Sequence, residues 1–429
     1  MDEILSRDIV AAVDSGFDDQ VKLTADLTAF PSLRGAEATA QDFMAEQYRR
    51  RGLGIDRWQI DVEDIRHLPG FSPVAVSYDN AFNVVGTHRP RNAHGRSGGR
   101  SLILNGHIDV VPTGPLDLWS RPPFQPHVEN GWLYGRGAGD MKAGLIAGLA
   151  AFDALDRIGY RPAAEVYLQS VIEEECTGNG ALACLQRGYR ADAALIPEPA
   201  ENGLDIAQLG VMWFQVKVRG RPTHVGHAGR GVNAIESCFP IVAALHKLEA
   251  QWNAEKHEIW ADNPHPVNFV LSRIEGGDWT SSVPAWCTFD MRISFYPGQS
   301  LQSVRAAVEA TVREAARNDG FLANNPPEVV YHGFQAEPYI LEGADAPRAV
   351  LAESHRTAFG EELEGRAITA TTDARFFGLY AGIPALVYGP AAEDYHGFDE
   401  RVSLDSLRKV TRTIALFIAD WCGLEKLAG

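Results

Sequence analysis

An α/β fold, built on a mainly parallel sheet and interrupted by a smaller β-α-β-β-α-β insertion, is what this sequence predicts. Three observations carry that expectation. Apolar runs of strand length alternate with helical stretches towards both ends of the chain, the pattern of parallel strands joined by crossover helices. Between residues 211 and 335 the rhythm changes to two helices set among four strands. The 429 residues exceed what one compact core holds, so more than one domain is expected.

The elements follow in order. Residues from about 5 to 52 read as helical, with a break near Phe30, Pro31 and Ser32, where proline ends the helical pattern. A basic stretch, HRPRNAHGRSGGR, leads into SLILNGHIDVVP, an apolar run that reads as a buried strand. WLYGRGAGD is a glycine-rich loop and MKAGLIAGLAAFDALDRIG has helical spacing. AEVYLQSVIEEE, ADAALIPEP and IPALVYGP supply three further strands, and SLDSLRKVTRTIALFIADWCG is the last helix. Within the insertion VMWFQVKVRG, PVNFVLSRIEGG, AWCTFDMRISF and PEVVYHGF read as strands. VNAIESCFPIVAALHKLEAQ and SLQSVRAAVEATVREAARN read as helices. Their order is that of a ferredoxin-like module. The expected division is therefore 1–210 and 336–429 for the α/β domain, and 211–335 for the insertion. There is no internal repeat.

Composition narrows the function classes. The formal charge is -17 at pH 7. Nucleic acid and anionic membranes select basic surfaces, so neither is an expected partner. No apolar run is long enough to span a bilayer. The first twenty residues are acidic and lack the apolar segment of a signal peptide. The five cysteines, Cys176, Cys184, Cys238, Cys287 and Cys422, are widely spaced and odd in number. A reducing, cytoplasmic location is the expectation.

Acids and histidines collect at the ends of the expected strands: His107 with Asp109, Asp140, Glu174 with Glu175, Glu198, and His396. Ligands of open α/β sheets gather at the carboxyl ends of the strands, so groups far apart in sequence can meet there. Two histidines with several carboxylates are a zinc ligand set. Taken alone, each signal is modest. A His-x-Asp pair is common in turns, a run such as Glu173-Glu174-Glu175 is usually a solvated face, and a single loop histidine such as His396 is usually exposed. His67, His94 and His127 have no acidic or glycine-rich context and read as surface. GRGAGDMKAG fails as a dinucleotide fingerprint, because Asp140 stands where the last glycine belongs and would repel a pyrophosphate. A cation suits that position instead. No G-x-S-x-G elbow is present, and Cys176 lies beside acids that disfavour a thiolate.

The ordered set GHIDVVP, GRGAGDMKAG, VIEEECTGNG, PEP and YHGFDE resembles the family that contains acetylornithine deacetylase, succinyl-diaminopimelate desuccinylase, aminoacylases, dipeptidases and a glutamate carboxypeptidase. GRPTHVGHAGRGVNAIE, IEGGDWTSSVPAWCTFDMRISFYPG and TTDARFF extend the resemblance over almost the whole chain. The resemblance implies a hydrolase of small linear amides, an N-acyl amino acid deacylase, with a zinc domain interrupted by a lid that also forms a homodimer. It implies two zinc ions, with cobalt or manganese as substitutes. His107, Asp140 and Glu198 would hold one ion, and Asp140, Glu175 and His396 the other. Glu174 would be the general base and acid, and Asp109 would orient His107. His224 of the lid would reach a partner's site to stabilise an oxyanion. Arg292, Asn268 and Gly389 would contact substrate, Arg292 through a carboxylate. The bond between Asp140 and Met141 would be cis. SSVP at 281–284 stands where relatives carry Asn-Val-Val-Pro, which leaves the substrate open. The alternatives are a dipeptidase or carboxypeptidase, a deformylase or decarbamoylase of a heterocyclic amide, and a binding protein that keeps the fold.

Overall fold

The computed structural model describes residues 2–91 and 99–427. Most of the basic stretch, with His94, lies outside the described residues. Three helices, Glu3–Ser15, Phe17–Thr28 and Ala38–Arg50, open the chain, and the break at Phe30 to Ser32 falls between the second and third.

Among the described residues the larger sheet has nine strands. Eight run in the order Gly54–Gln59, Phe82–His88, Val166–Val171, Leu102–His107, Ala193–Ile196, Ala385–Val387, Leu204–Gln208 and Tyr339–Ile340, and Gly365–Ile368 pairs with Leu204–Gln208. The four strands expected from apolar runs sit together in the middle and pair in parallel. Phe82–His88 and Gly54–Gln59 extend the sheet antiparallel on one side, so it is mixed rather than parallel throughout. The sequence signal of the outer strand is weak: GIDRWQ is half exposed along its length.

Helix Ala143–Arg157 is apolar on nearly every side and buried to match, as expected of a helix enclosed by others. It packs on Leu404–Cys422, which also contacts Asp345–Phe359. Gly144, in its first turn, is a necessity. A Cβ there would lie 2.0 Å from the carbonyl oxygen of Pro197, so only glycine lets the helix close on the end of strand Ala193–Ile196.

Residues Gly210 to Ala336 build a second sheet of four antiparallel strands, ordered Phe269–Gly276, Trp286–Phe295, Gly210–Arg219 and Glu328–Ala336. Along Gly210–Arg219 burial alternates with a period of two, which puts Phe214, Val216 and Val218 on one face. Helices Ala234–Ala254 and Leu301–Arg317 cover that face. The second contributes Val304, Val308 and Val312, spaced four apart on one stripe. The Ser300 side chain caps its start. The second sheet touches the loop before strand Phe82–His88, where the Gly333 N–H donates to the Pro73 carbonyl at 3.2 Å and the Gln335 N–H donates to Ser72 Oγ at 3.1 Å. All five cysteines are free and buried. No helix among the described residues is long and apolar enough to cross a membrane.

Candidate metal centre

The parallel centre of the sheet ends in chemistry. His107 closes strand Leu102–His107 and is fully buried. Its Nδ1–H faces the backbone carbonyl of Asp109 at 2.9 Å, which leaves Nε2 for the cleft. Nε2 lies 3.0 Å from Asp140 Oδ1 and 3.7 Å from Glu198 Oε2. Asp140 sits in the turn before helix Ala143–Arg157, after a cis bond to Met141 has been formed on its carboxyl side as the resemblance implied. Its other oxygen lies 3.4 Å from His396 Nε2, and Glu175 Oε2 lies 3.0 Å from the same nitrogen. Ligand atoms of His107, Glu174 and Glu198 fall within 4.8 Å of one another, as do those of His107, Asp140 and Glu175. Five of the residues singled out from sequence, with Glu174 between them, thus meet in one place.

Electrostatics make the set hard to satisfy from within the chain. Burial pushes the Glu198 carboxyl up to about 8, and burial likewise raises Glu174 and Glu175. Burial also works against charge on Asp140, yet the two imidazoles beside it hold its carboxyl well below the usual range. The Glu175 carboxylate drives His396 up to about 11. Two imidazoles therefore face four carboxylates, and Glu174 Oε1 is buried with no hydrogen-bond partner among the described residues. A hard or borderline divalent cation fits this donor set, because nitrogen and carboxylate oxygen are its ligands and its charge answers the surplus of acids.

The surroundings differ from the sequence reading in one respect. Asp109 was expected to accept the imidazole N–H of His107 through its side chain. Its carboxylate stands 3.6 Å from Nδ1, while its backbone carbonyl takes the hydrogen bond. The carboxylate instead accepts the backbone N–H groups of Glu174 at 3.3 Å and Glu175 at 3.2 Å. The reason is local: residues 107 and 109 flank the end of a strand, where the main chain turns under the ring and the side chain turns towards the next strand.

Several residues were missed. Glu173 holds a left-handed backbone, φ 67°, at the turn that aims Glu174 and Glu175. Its buried carboxylate accepts from Arg34, from the Tyr78 hydroxyl at 2.7 Å and from Thr177 Oγ1 at 2.9 Å. Asp373, in TTDARFF, is fully buried, accepts from Asn105 Nδ2 at 3.2 Å, and is raised to about 6 by burial. Arg136 and Glu400 pair at 2.6 Å beneath the glycine-rich loop. All lie within or beside the sequence motifs, but only their burial marks them as more than surface charge.

The four other candidates lie outside this cluster. His224 is in an exposed loop, and its Nδ1 accepts the Gly226 N–H at 3.0 Å. Arg292, on strand Trp286–Phe295, is half-buried. It donates to the Thr369 carbonyl at 3.4 Å, and burial lowers its pKa. Asn268 donates through Nδ2 to the Pro266 carbonyl at 3.2 Å and so serves its own turn. Gly389 follows strand Ala385–Val387. A Cβ there would lie 2.0 Å from the Glu198 carbonyl, so glycine is what lets the chain pack against Glu198.

The model of peptidase family M20/M25/M40 matches residues 103–420. N-formyl-4-amino-5-aminomethyl-2-methylpyrimidine deformylase of Halalkalibacterium halodurans is 29% identical, over 98% of each chain. The enzyme of the same name from Bacillus subtilis is 30% identical, over 93% of this chain and 92% of its own. Human carnosine dipeptidase 1 has a similar fold, with a TM-score of 0.76 at 15% identity, covering 97% of this chain and 99% of its own.

The contact of Gly389 with Glu198 yields a test. Gly389→Ala should lower stability by about 1–3 kcal/mol, since backbone must move to admit the methyl group, and should weaken binding of divalent cations. Urea denaturation and a zinc titration read the two effects. A variant with unchanged stability and cation affinity but a raised KM would return Gly389 to the role of substrate contact.

Proposed function

From the premise that this chain belongs to peptidase family M20/M25/M40 and is a hydrolase, we propose that it cleaves the linear amide of a small N-acyl compound with the help of two zinc ions. The observation that carries this reading is the cluster of two imidazoles and four carboxylates, buried except at His396, that gathers at one end of the larger sheet. His107, Asp140 and Glu198 would hold one ion, and Asp140, Glu175 and His396 the other. When bound, such ions lower the pKa of water to about 7 and polarise a carbonyl, which is the chemistry amide hydrolysis needs. Glu174 takes the proton from the attacking water and hands it to the leaving nitrogen. Its buried, unpartnered Oε1 suits a proton carrier, and a positioned carboxylate of this kind contributes roughly 10²–10⁴-fold. Asp109, by accepting from the backbone of Glu174 and Glu175, keeps the base and its neighbouring ligand in fixed relation.

Residues 211–335 are proposed as a ferredoxin-like lid, inserted between 1–210 and 336–429. The chain order β-α-β-β-α-β and the strand order of the second sheet support this. The lid is also the proposed dimer contact. Strand Phe269–Gly276 lies at the sheet edge and is exposed along most of its length, with Val270, Leu271 and Ile274 open to solvent. Such an edge is a template for a second strand, and a two-fold axis makes the pairing reciprocal. In that dimer His224 acts in trans, stabilising the oxyanion in the other protomer's cleft. The five free, buried cysteines support a cytoplasmic location.

Two substrate classes compete. Arg292 favours an N-acyl amino acid. Its half-buried guanidinium has no carboxylate partner among the described residues, and a substrate carboxylate would supply one. The relatives that are deformylases of an aminomethylpyrimidine favour a formamide of a heteroaromatic amine. The panel that separates them comprises N-acetyl and N-succinyl amino acids, dipeptides and heteroaromatic formamides. If the amino-acid class is right, Arg292→Ala raises KM for the best substrate by roughly tenfold or more, as loss of a bidentate ion pair requires. An unaltered KM with a formamide as best substrate selects the second class.

The role of Glu174 is tested by Glu174→Ala. Turnover should fall by orders of magnitude while about two zinc ions per chain remain. Loss of metal in proportion to activity would exchange the roles of Glu174 and Glu175. The trans action of His224 is tested by mixing Glu174→Ala with His224→Ala chains. Random re-association makes about half of the dimers hybrids, each with one intact site, so about a quarter of wild-type activity returns. A mixture that stays inactive, with hybrids verified by differential tags, places His224 in cis or outside catalysis.

A further inference from the structure

Beneath the cluster lies an ion pair that the proposed reaction does not use. Glu400 is 1% exposed and Arg136 2%. Every hydrogen-bond partner of the Glu400 carboxylate among the described residues is a donor. Oε2 accepts from Arg136 Nη1 at 2.6 Å and from the Gly137 N–H at 3.0 Å. Oε1 accepts from the Gly139 N–H at 3.0 Å and the Asp140 N–H at 3.1 Å. Burial raises its pKa, with Arg136 opposing. Donors alone reach its two oxygens, which is the setting a carboxylate accepts.

The second half of the pair reaches the other loop. Arg136 Nη2 donates to the carbonyl of Gly397 at 2.8 Å, the residue after His396. The Glu400 backbone carbonyl accepts from the Gly135 N–H at 2.9 Å, and the strands that flank the two loops, Trp132–Tyr134 and Arg401–Ser403, pair antiparallel. A closed circuit results. Asp140 faces His396; His396 is bonded through the chain to Gly397; Gly397 is held by Arg136; Arg136 is paired with Glu400; and Glu400 holds the backbone of Asp140. His396 needs such a tether more than the other members do, since its side chain is 54% exposed and its backbone is left-handed, φ 62°.

We propose that the Glu400–Arg136 pair is a positioning clamp for the metal centre, setting the distance between Asp140 and His396 by gripping the main chain beneath each. The inference rests on the reading of the cluster as a metal centre. It predicts that the clamp governs cation affinity and not merely folding. Partners that orient ligands typically contribute 10–100-fold to metal affinity. In Glu400→Gln an amide N–H must face a backbone N–H or the guanidinium, and in Glu400→Asp the carboxylate falls short of its donors.

The experiment first strips the wild-type protein with a chelator and titrates it with zinc against a competing chromophoric chelator. Wild type taking up fewer than two ions would overturn the metal-centre reading itself, independently of the clamp. The same titration is then run on Glu400→Gln, Glu400→Asp and Arg136→Lys, with circular dichroism and thermal melts of the metal-free forms. The clamp requires variants that fold without metal and bind zinc about 10–100-fold more weakly than wild type. Affinities within about twofold of wild type in the folded variants would overturn it. If none of the three folds without metal, the pair holds the fold and not the metal ligands, and the proposal is equally overturned.

Discussion

Too many carboxylates in too little water is the constraint on which the rest of this structure depends. Asp140, Glu174, Glu175 and Glu198 converge on two imidazoles at the end of a sheet, with Asp373 buried close by. Burying one unpaired carboxylate is expensive, and burying several together more so. Of the chain's own cations near the cluster, Arg136 is committed to Glu400, Arg34 to Glu173 and Lys142 to the Phe30 carbonyl, while the buried Arg375 donates to the Thr372 and Thr177 carbonyls and offsets part of the charge of Asp373. What remains is a surplus of negative charge that an external divalent cation answers. An acidic cleft of this kind, set at the sheet's rim, carries its own demand for a cation.

The supporting groups share a strategy. Asp109, Glu400 and Gly389 act on main chain. Asp109 takes the N–H groups of Glu174 and Glu175, Glu400 takes those of Gly139 and Asp140, and Gly389 leaves room for the backbone of Glu198. Fixing the backbone leaves each carboxylate its full set of lone pairs for a ligand or a proton. Glu173 belongs to the same scheme: its left-handed backbone, secured through Arg34, Tyr78 and Thr177, turns the chain so that adjacent glutamates can take different duties. Pre-organisation of this sort keeps a site precise although its residues come from five separate stretches of chain.

Residues 211–335 meet the rest of the chain at Ser72 and Pro73, through Gln335 and Gly333, and at Ile368, through Trp260. The helix-covered face of the second sheet is a conventional core. The other face carries Trp213, flanked by His332 and Phe334, and the half-buried Arg292. Gly333, on the same surface, lies close enough to the Cys176 carbonyl that a Cβ there would stand 3.2 Å from it. The face of the proposed lid therefore borders the turn that follows Glu175.

The sequence alone determined the central strands, the helices around them and the acids at the strand ends, because burial on both faces leaves continuous apolar runs and punctuates them with functional residues. It also determined the six strand and helix segments of the insertion, through periods of two and 3.6. It did not determine the antiparallel flank at Gly54–Gln59, whose half-exposed residues carry no clear period. Nor could it tell Glu400 and Arg136 from surface charges: their importance comes from burial and from donors more than 250 residues away along the chain, such as the Gly139 N–H 261 residues from Glu400. The same holds for Asp109, whose backbone and side chain exchanged the duties expected of them, and for Gly389, which serves Glu198. Residue identity and spacing set which groups can do the chemistry. Which atom of each faces which neighbour is decided only when distant strand ends close on one another, because hydrogen bonds a few ångströms long depend on where the backbone turns.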